Sequence, residues 1–109
     1  MMVQSVSTII QPFINRGLFE SPEKAVTEMA RHYTLHQIEQ YQAILNRLQK
    51  KYGMTYEQFE SYLEARATIL VSKPNPQLNQ AIMQEEEDAF DWKVASEMLN
   101  SWLGLQYEV

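Results

Sequence analysis

The stretch "KYGMTYEQF", residues 51–59, closes one helix and opens another within a few positions. Gly53 suits the left-handed conformation that ends a helix. Thr55 and Gln58 stand at capping-box spacing, where each side chain accepts from the other residue's backbone N–H. Met54 and Phe59 fit the hydrophobic staple that brackets such a start. The third helix that begins here carries Tyr56, Phe59, Leu63 and Leu70 on or near one face and is predicted to run to about Val71.

A second restart lies upstream in "GLFESPEKAVTEMARHY", residues 17–33. Ser21 is an N-cap, Pro22 takes the first helical position, where its missing N–H costs nothing, and Glu23 complements the positive end of the helix. No breaker follows until Gly53, which predicts one long helix over 21–52, about 45 Å at 1.5 Å per residue. Along one edge Ile38, Tyr41, Leu45, Leu48 and Tyr52 recur in steps of three and four, a seam of two heptads. A helix of that length cannot bury its whole surface in a small monomer. The five residues are therefore the expected interface of a helix-mediated homodimer. Before it, Ser7 is a candidate cap for a short helix with Ile9, Ile10, Phe13 and Ile14, bent at Pro12 and closed at Gly17. Residues 1–6, "MMVQSV", read as a short strand or arm.

Downstream, "SKPNP" at 72–76 breaks the chain. The last helical region is predicted over Gln77–Leu103, with Asp88 capping a stronger final segment and Gly104 closing it. At 100° per residue Trp92, Leu99 and Leu103 share one side, while Phe90 and Val94 lie well round from it. A helix apolar on more than one side needs two surfaces to bury it. The expectation is a mainly α fold of four to five helices in one compact domain. Residues 1–52 form its dimerisation region and 53–109 its acidic helical region.

Composition narrows function. The chain has 109 residues, no Cys and three Gly. That excludes disulfide and thiolate-zinc frameworks and disfavours a turn-rich sheet. No apolar run reaches the roughly 18 residues of a membrane span, and no Lys or Arg precedes Arg16, so no signal-peptide layout is present. A cytoplasmic protein is expected. The net charge of −5 is split: residues 1–54 carry +2 and residues 55–109 carry −7. The acidic half repels nucleic acid and suits a basic protein partner.

Catalysis finds no support. Both histidines, His32 and His36, lie on the long helix, no glycine-rich phosphate loop occurs, and no pair of carboxylates is singled out. The two His share an edge at zinc-ligand spacing, yet no third ligand accompanies them, so they read as a solvated pair. "EEED", residues 85–88, with Asp91, lacks the alternation and Gly of a calcium loop and reads as a solvated, helix-starting charge run. The chain is read as a non-enzyme that needs no cofactor and no metal.

Two stretches resemble known families. "IIQPFINRGLFESPEKAVTEMARHY" resembles the helix–turn–helix part of ribbon–helix–helix antitoxins, with Gly17, Phe19, Ser21, Ala25, Val26, Met29 and Ala30 in matching roles. That resemblance implies a dimer whose N-terminal strand enters the DNA major groove. Gln4 and Ser5 are then its DNA-facing residues. This strand, however, lacks a basic residue, and Pro12 interrupts the first helix. "KKYGMTYEQFESYL" with "EEEDAFDWKVASEML" looks like small helical prokaryotic proteins assigned as antitoxins of two-gene toxin–antitoxin modules. Lys51, Tyr52, Gly53, Met54, Phe59, Leu63, Asp88, Asp91 and Trp92 carry that likeness. It implies that Phe90, Trp92, Leu99 and Trp102 bury in a small basic toxin while Glu86, Asp88 and Asp91 meet its Lys and Arg. The alternative is a non-enzymatic adaptor or structural homodimer.

Overall fold

The computed structural model describes residues 5–73 and 75–108. Four helices follow in order: α1 (Val6–Asn15), α2 (Pro22–Tyr52), α3 (Tyr56–Ser72) and α4 (Pro76–Gln106). The described residues contain no strand. Most of the expected N-terminal arm, Gln4 included, lies outside the described residues.

The caps explain the boundaries. Ser21 Oγ accepts from the Lys24 N–H at 3.2 Å, with Pro22 opening α2. Gly53 ends that helix at φ 64°, its N–H donating to Gln49 at 2.7 Å. Both halves of the capping box are made: Thr55 N–H to Gln58 Oε1 at 2.9 Å, and Gln58 N–H to Thr55 Oγ1 at 3.2 Å. Gly17, at φ 71°, closes α1 in a Schellman arrangement, with Gly17 N–H bonded to Ile14 and Leu18 N–H to Phe13.

Three expected boundaries are corrected. Ser5, not Ser7, caps α1: its hydroxyl accepts from Thr8 N–H at 3.2 Å and pairs with the Thr8 hydroxyl at 2.9 Å, which draws Val6 and Ser7 into the helix. Asp88 does not start a helix. α4 is continuous from Asn75, whose side chain accepts from both Gln77 and Leu78 N–H groups. Gly104 closes nothing, since α4 runs past it to Gln106.

Inter-helix contacts set the direction of α4. Glu85 pairs with Arg66, Asp88 with Lys51, Trp92 with Tyr56, and Trp102 with Tyr33. As numbers rise along α4 they fall along its partners, so α4 runs antiparallel, first along α3 and then along α2. It splints the α2–α3 junction. Beneath it lies the core of Leu48, Phe59, Leu63 and Trp92, with Ile44, Leu45, Tyr52, Met54, Tyr56 and Ala89 packed around it. Phe59 packs against Tyr52, at 4.1 Å, and stacks on Trp92, at 5.7 Å between ring centroids. This core draws on both sides of residue 53, so the regions 1–52 and 53–109 are not separate packing units. α1 packs on α2 and buries Ile10.

The molecule is a rod, 68 × 32 × 21 Å, rather than the expected compact unit. Its radius of gyration is 21.9 Å, against about 13 Å for a compact chain of this length. Its surface is 8300 Å², against about 6300 Å² for a compact monomer of its mass. Two of the four helices have 31 residues each, and the two shorter ones cannot wrap them.

The glycines offer a direct check of this architecture. A Cβ at Gly53 or Gly104 would meet no atom within 4 Å, so only backbone conformation decides each substitution. Gly53→Ala is expected to lose about 1 kcal/mol and Gly104→Ala to gain up to about 1 kcal/mol in urea unfolding. A loss at Gly104 would show that α4 does end there. Leu48→Ala is expected to cost roughly 2–5 kcal/mol, because that side chain is fully buried.

Candidate functional site

The two sides of α4 differ in chemistry. Its inner side carries Ile82, Glu85, Asp88, Trp92, Ala95 and Leu99, all buried except Glu85, which is largely covered. Two acids of the "EEED" run therefore point into the protein, which corrects the reading of that run as solvated. Asp88 Oδ2 accepts from Lys51 Nζ at 2.6 Å and from the Tyr52 hydroxyl. Arg66 Nη1 donates to both oxygens of Glu85 at 2.7 Å and lies against the Tyr62 hydroxyl. Every buried polar side-chain atom among the described residues has a partner.

These contacts shift the titrating groups. Burial pushes the Asp88 carboxyl up, but hydrogen bonds from Lys51 and Tyr52 and the charges of Lys51 and Arg47 outweigh it, so it is held below its ordinary value. Burial, then the Asp88 carboxylate, pushes the Tyr52 phenol up. Burial and nearby Glu60, Glu97 and Glu57 raise Tyr56. For Arg66, burial works downward and is overcome by the hydrogen bonds to Glu85 and Tyr62, so its cation is favoured. All four shifts stabilise the charge states that clamp α4 or leave a tyrosine protonated. None places a titrating group near neutrality.

The outer side of α4 is different. Met83, Phe90, Val94 and Met98 fall within about 80° of one another at 100° per residue, opposite Trp92 and Leu99. All four are exposed, Met83 by 60% and Phe90 by 67%. Glu86, Glu87, Asp91 and Glu97 flank them and are exposed, with Lys93 the one basic neighbour on this segment. Met83, Glu86, Glu87, Phe90 and Asp91 line an open groove of about 430 Å³.

The expected partner-binding set is thus divided. Phe90, Glu86 and Asp91 stand together on the outer side. Trp92, Leu99 and Asp88 are buried inside the chain and have almost no surface to offer. Trp102 is half-buried, edge-on to Tyr33 at 5.7 Å. The sequence reading omits Met83, Glu87, Val94 and Met98 from this site, although their offsets from Phe90 place them beside it.

The expected dimer seam meets a similar fate. Leu48 is fully buried in the chain's own core, and Leu45 and Tyr52 pack against that core. Ile38 and Tyr41 are half-buried. Leu48 has nothing left for a second copy. Of the DNA-facing pair, Ser5 is engaged as a helix cap. His32 and His36 are exposed, and His36 Nε2 lies 3.0 Å from the Gln40 amide. Among the described residues no three His, Cys, Asp or Glu side chains cluster as metal ligands, and no helix is long and apolar enough to cross a membrane.

No protein family, curated protein or solved structure matches this chain.

The Asp88 cluster predicts a pH signature. The lowered carboxyl contributes stability that is complete above its unfolded value of 3.8 and is lost as pH falls through the folded value. Asp88→Asn is expected to cost on the order of 2 kcal/mol at neutral pH. The gap between variant and wild type should close as pH is lowered below 3.8 in acid-dependent urea titrations. A gap that stays constant into acid would mean that the carboxylate charge is not what holds α4.

Proposed function

We propose that the protein acts without catalysis, by binding a basic protein partner along the outer side of α4, as an antitoxin covers its toxin. One observation carries this reading. The apolar stripe Met83–Phe90–Val94–Met98 stays exposed between Glu86, Glu87, Asp91 and Glu97, while the opposite side of the same helix is already used by the core. Exposed apolar stripes of this kind on a soluble helix mark interaction surfaces. The acidic margins select against acidic partners and speed encounter with basic ones. Phe90 is the aromatic anchor such interfaces are built around. The likeness of "KKYGMTYEQFESYL" and "EEEDAFDWKVASEML" to antitoxins gives the partner its class, a small basic toxin working in the cytoplasm.

A second reading, a homodimeric adaptor or structural protein with no toxin, draws on the surplus of surface, which is not confined to α4. DNA binding at the chain's start would rest on Gln4 without Ser5. A gel shift on the gene's own promoter that shows no complex at low salt removes it.

The deciding experiment is co-expression with the product of the adjacent gene. The expected result is a small basic protein, toxic alone, rescued by this chain and co-purified with it. Phe90→Ala should weaken that complex about 30-fold, the loss typical of an interface hot spot, and raised salt should weaken it further. An unchanged affinity in Phe90→Ala would overturn the assignment to α4, and a non-toxic neighbour that does not bind would overturn the antitoxin reading.

A further inference from the structure

The chain has no Cys and six Met, so every sulfur in it is a thioether. Among the described residues, Met29 and Met54 are half-buried, Met54 against the core, whereas Met83 and Met98 are exposed. Both exposed thioethers fall on the outer stripe of α4, with Met83 60% and Met98 36% exposed. Fifteen positions of helix separate them, about 22 Å at 1.5 Å per residue, so they stand at the two ends of the stripe with Phe90 between them. Met83 shares its open groove with Glu86, Glu87, Phe90 and Asp91.

We infer that Met83 and Met98 are oxidation sites through which a peroxide weakens docking of the basic partner on α4. The inference rests on the reading of that stripe as the docking surface and adds its regulation. The step is oxygen transfer from hydrogen peroxide. A lone pair of the thioether sulfur attacks one peroxide oxygen, and the S–O bond forms as the O–O bond breaks. The leaving oxygen takes up the proton and departs as water. Sulfur loses two electrons, the peroxide gains them, and the product is methionine sulfoxide. Two features of the stripe give that product an effect. Two of its four apolar side chains are thioethers, so oxidation turns half of its apolar groups polar. Its acidic neighbours Glu86, Glu87, Asp91 and Glu97 accept hydrogen bonds when ionised and donate none, as does a sulfoxide oxygen. The sulfoxide therefore keeps water as its partner, and an apolar surface that docks must strip that water away at a cost. Both sites lie outside the core, so oxidation alters the surface and leaves the fold in place. The return step consumes two thiols and yields the thioether, a disulfide and water, which makes the change reversible.

The test uses the full chain and the product of the adjacent gene. After hydrogen peroxide at neutral pH, peptide mapping by mass spectrometry should find sulfoxide forming at Met83 and Met98 at least about threefold faster than at Met29 and Met54. The oxidised chain should bind at least about tenfold more weakly, with unchanged helical circular dichroism. Treatment with methionine sulfoxide reductases for both epimers, with dithiothreitol as the thiol, should restore the affinity. Met83→Leu with Met98→Leu removes both thioethers and keeps the stripe apolar, so its affinities before and after peroxide should agree within about twofold. Undiminished binding by the oxidised wild type overturns the inference and leaves the docking reading standing, as does faster oxidation at Met29 or Met54. A double-leucine variant that loses affinity on peroxide treatment overturns it too, because the sensitive group then lies elsewhere. Untreated wild type that does not bind its neighbour overturns the docking reading, and this inference with it.

Discussion

The architecture depends on how α4 is held in register across the α2–α3 junction. Packing alone would not hold it, because α4 is apolar on both sides and either side could face a core. Asp88 and Glu85 break that symmetry. A helix turns 100° per residue, so a slip of one position would carry Asp88 away from Lys51 and Tyr52 and strand a carboxylate without its partners. Removing one member of a buried pair costs far more than the pair contributes as a whole. The two ion pairs therefore act as register pins more than as sources of stability. With them in place Trp92 must lie on Phe59, and Phe90 must face water.

The rod shape follows from the same constraint. Gly53 and the capping box turn the chain between α2 and α3, but α3 does not fold back to cover α2. α4 covers α3 and then α2 from its C-terminal end back to Tyr33, and α1, with 10 residues, covers only part of what remains. Apolar surface is left over on every helix, with one ordered stripe of it on the outer side of α4.

Much of this was legible in local sequence chemistry. The caps at Ser21 and Thr55, the glycine stops at Gly17 and Gly53, and the two-sided character of α4 rest on residues within a few positions of each other, and the structure contains them. What required tertiary knowledge was not legible. The heptad seam Ile38–Tyr52 presents the same spacing to an antiparallel helix of its own chain as to a second copy, so periodicity could not tell α4 from a dimer mate. Asp88, standing before an apolar run, has the local look of a cap. Its partner Lys51 is 37 positions away, and only the antiparallel return of α4 brings them together. Ser5 and Ser7 both precede the first apolar run, and the choice between them turned on a hydroxyl contact with Thr8. The outer stripe is half legible: at 100° per residue Phe90 and Val94 stand apart from Trp92, but large apolar side chains such as Trp92 and Leu99 suit cores and interfaces equally, so spacing alone does not say which side faces inward.

The exposed sides of α1 and α4 differ in charge. Surface electrostatics contribute little to the affinity of an exposed contact and much to its selectivity. α1 itself carries no charged residue, so shape and apolar area decide what packs on its exposed edge. The α4 stripe combines similar apolar chemistry with four acidic neighbours, which penalise self-pairing and favour a cationic surface.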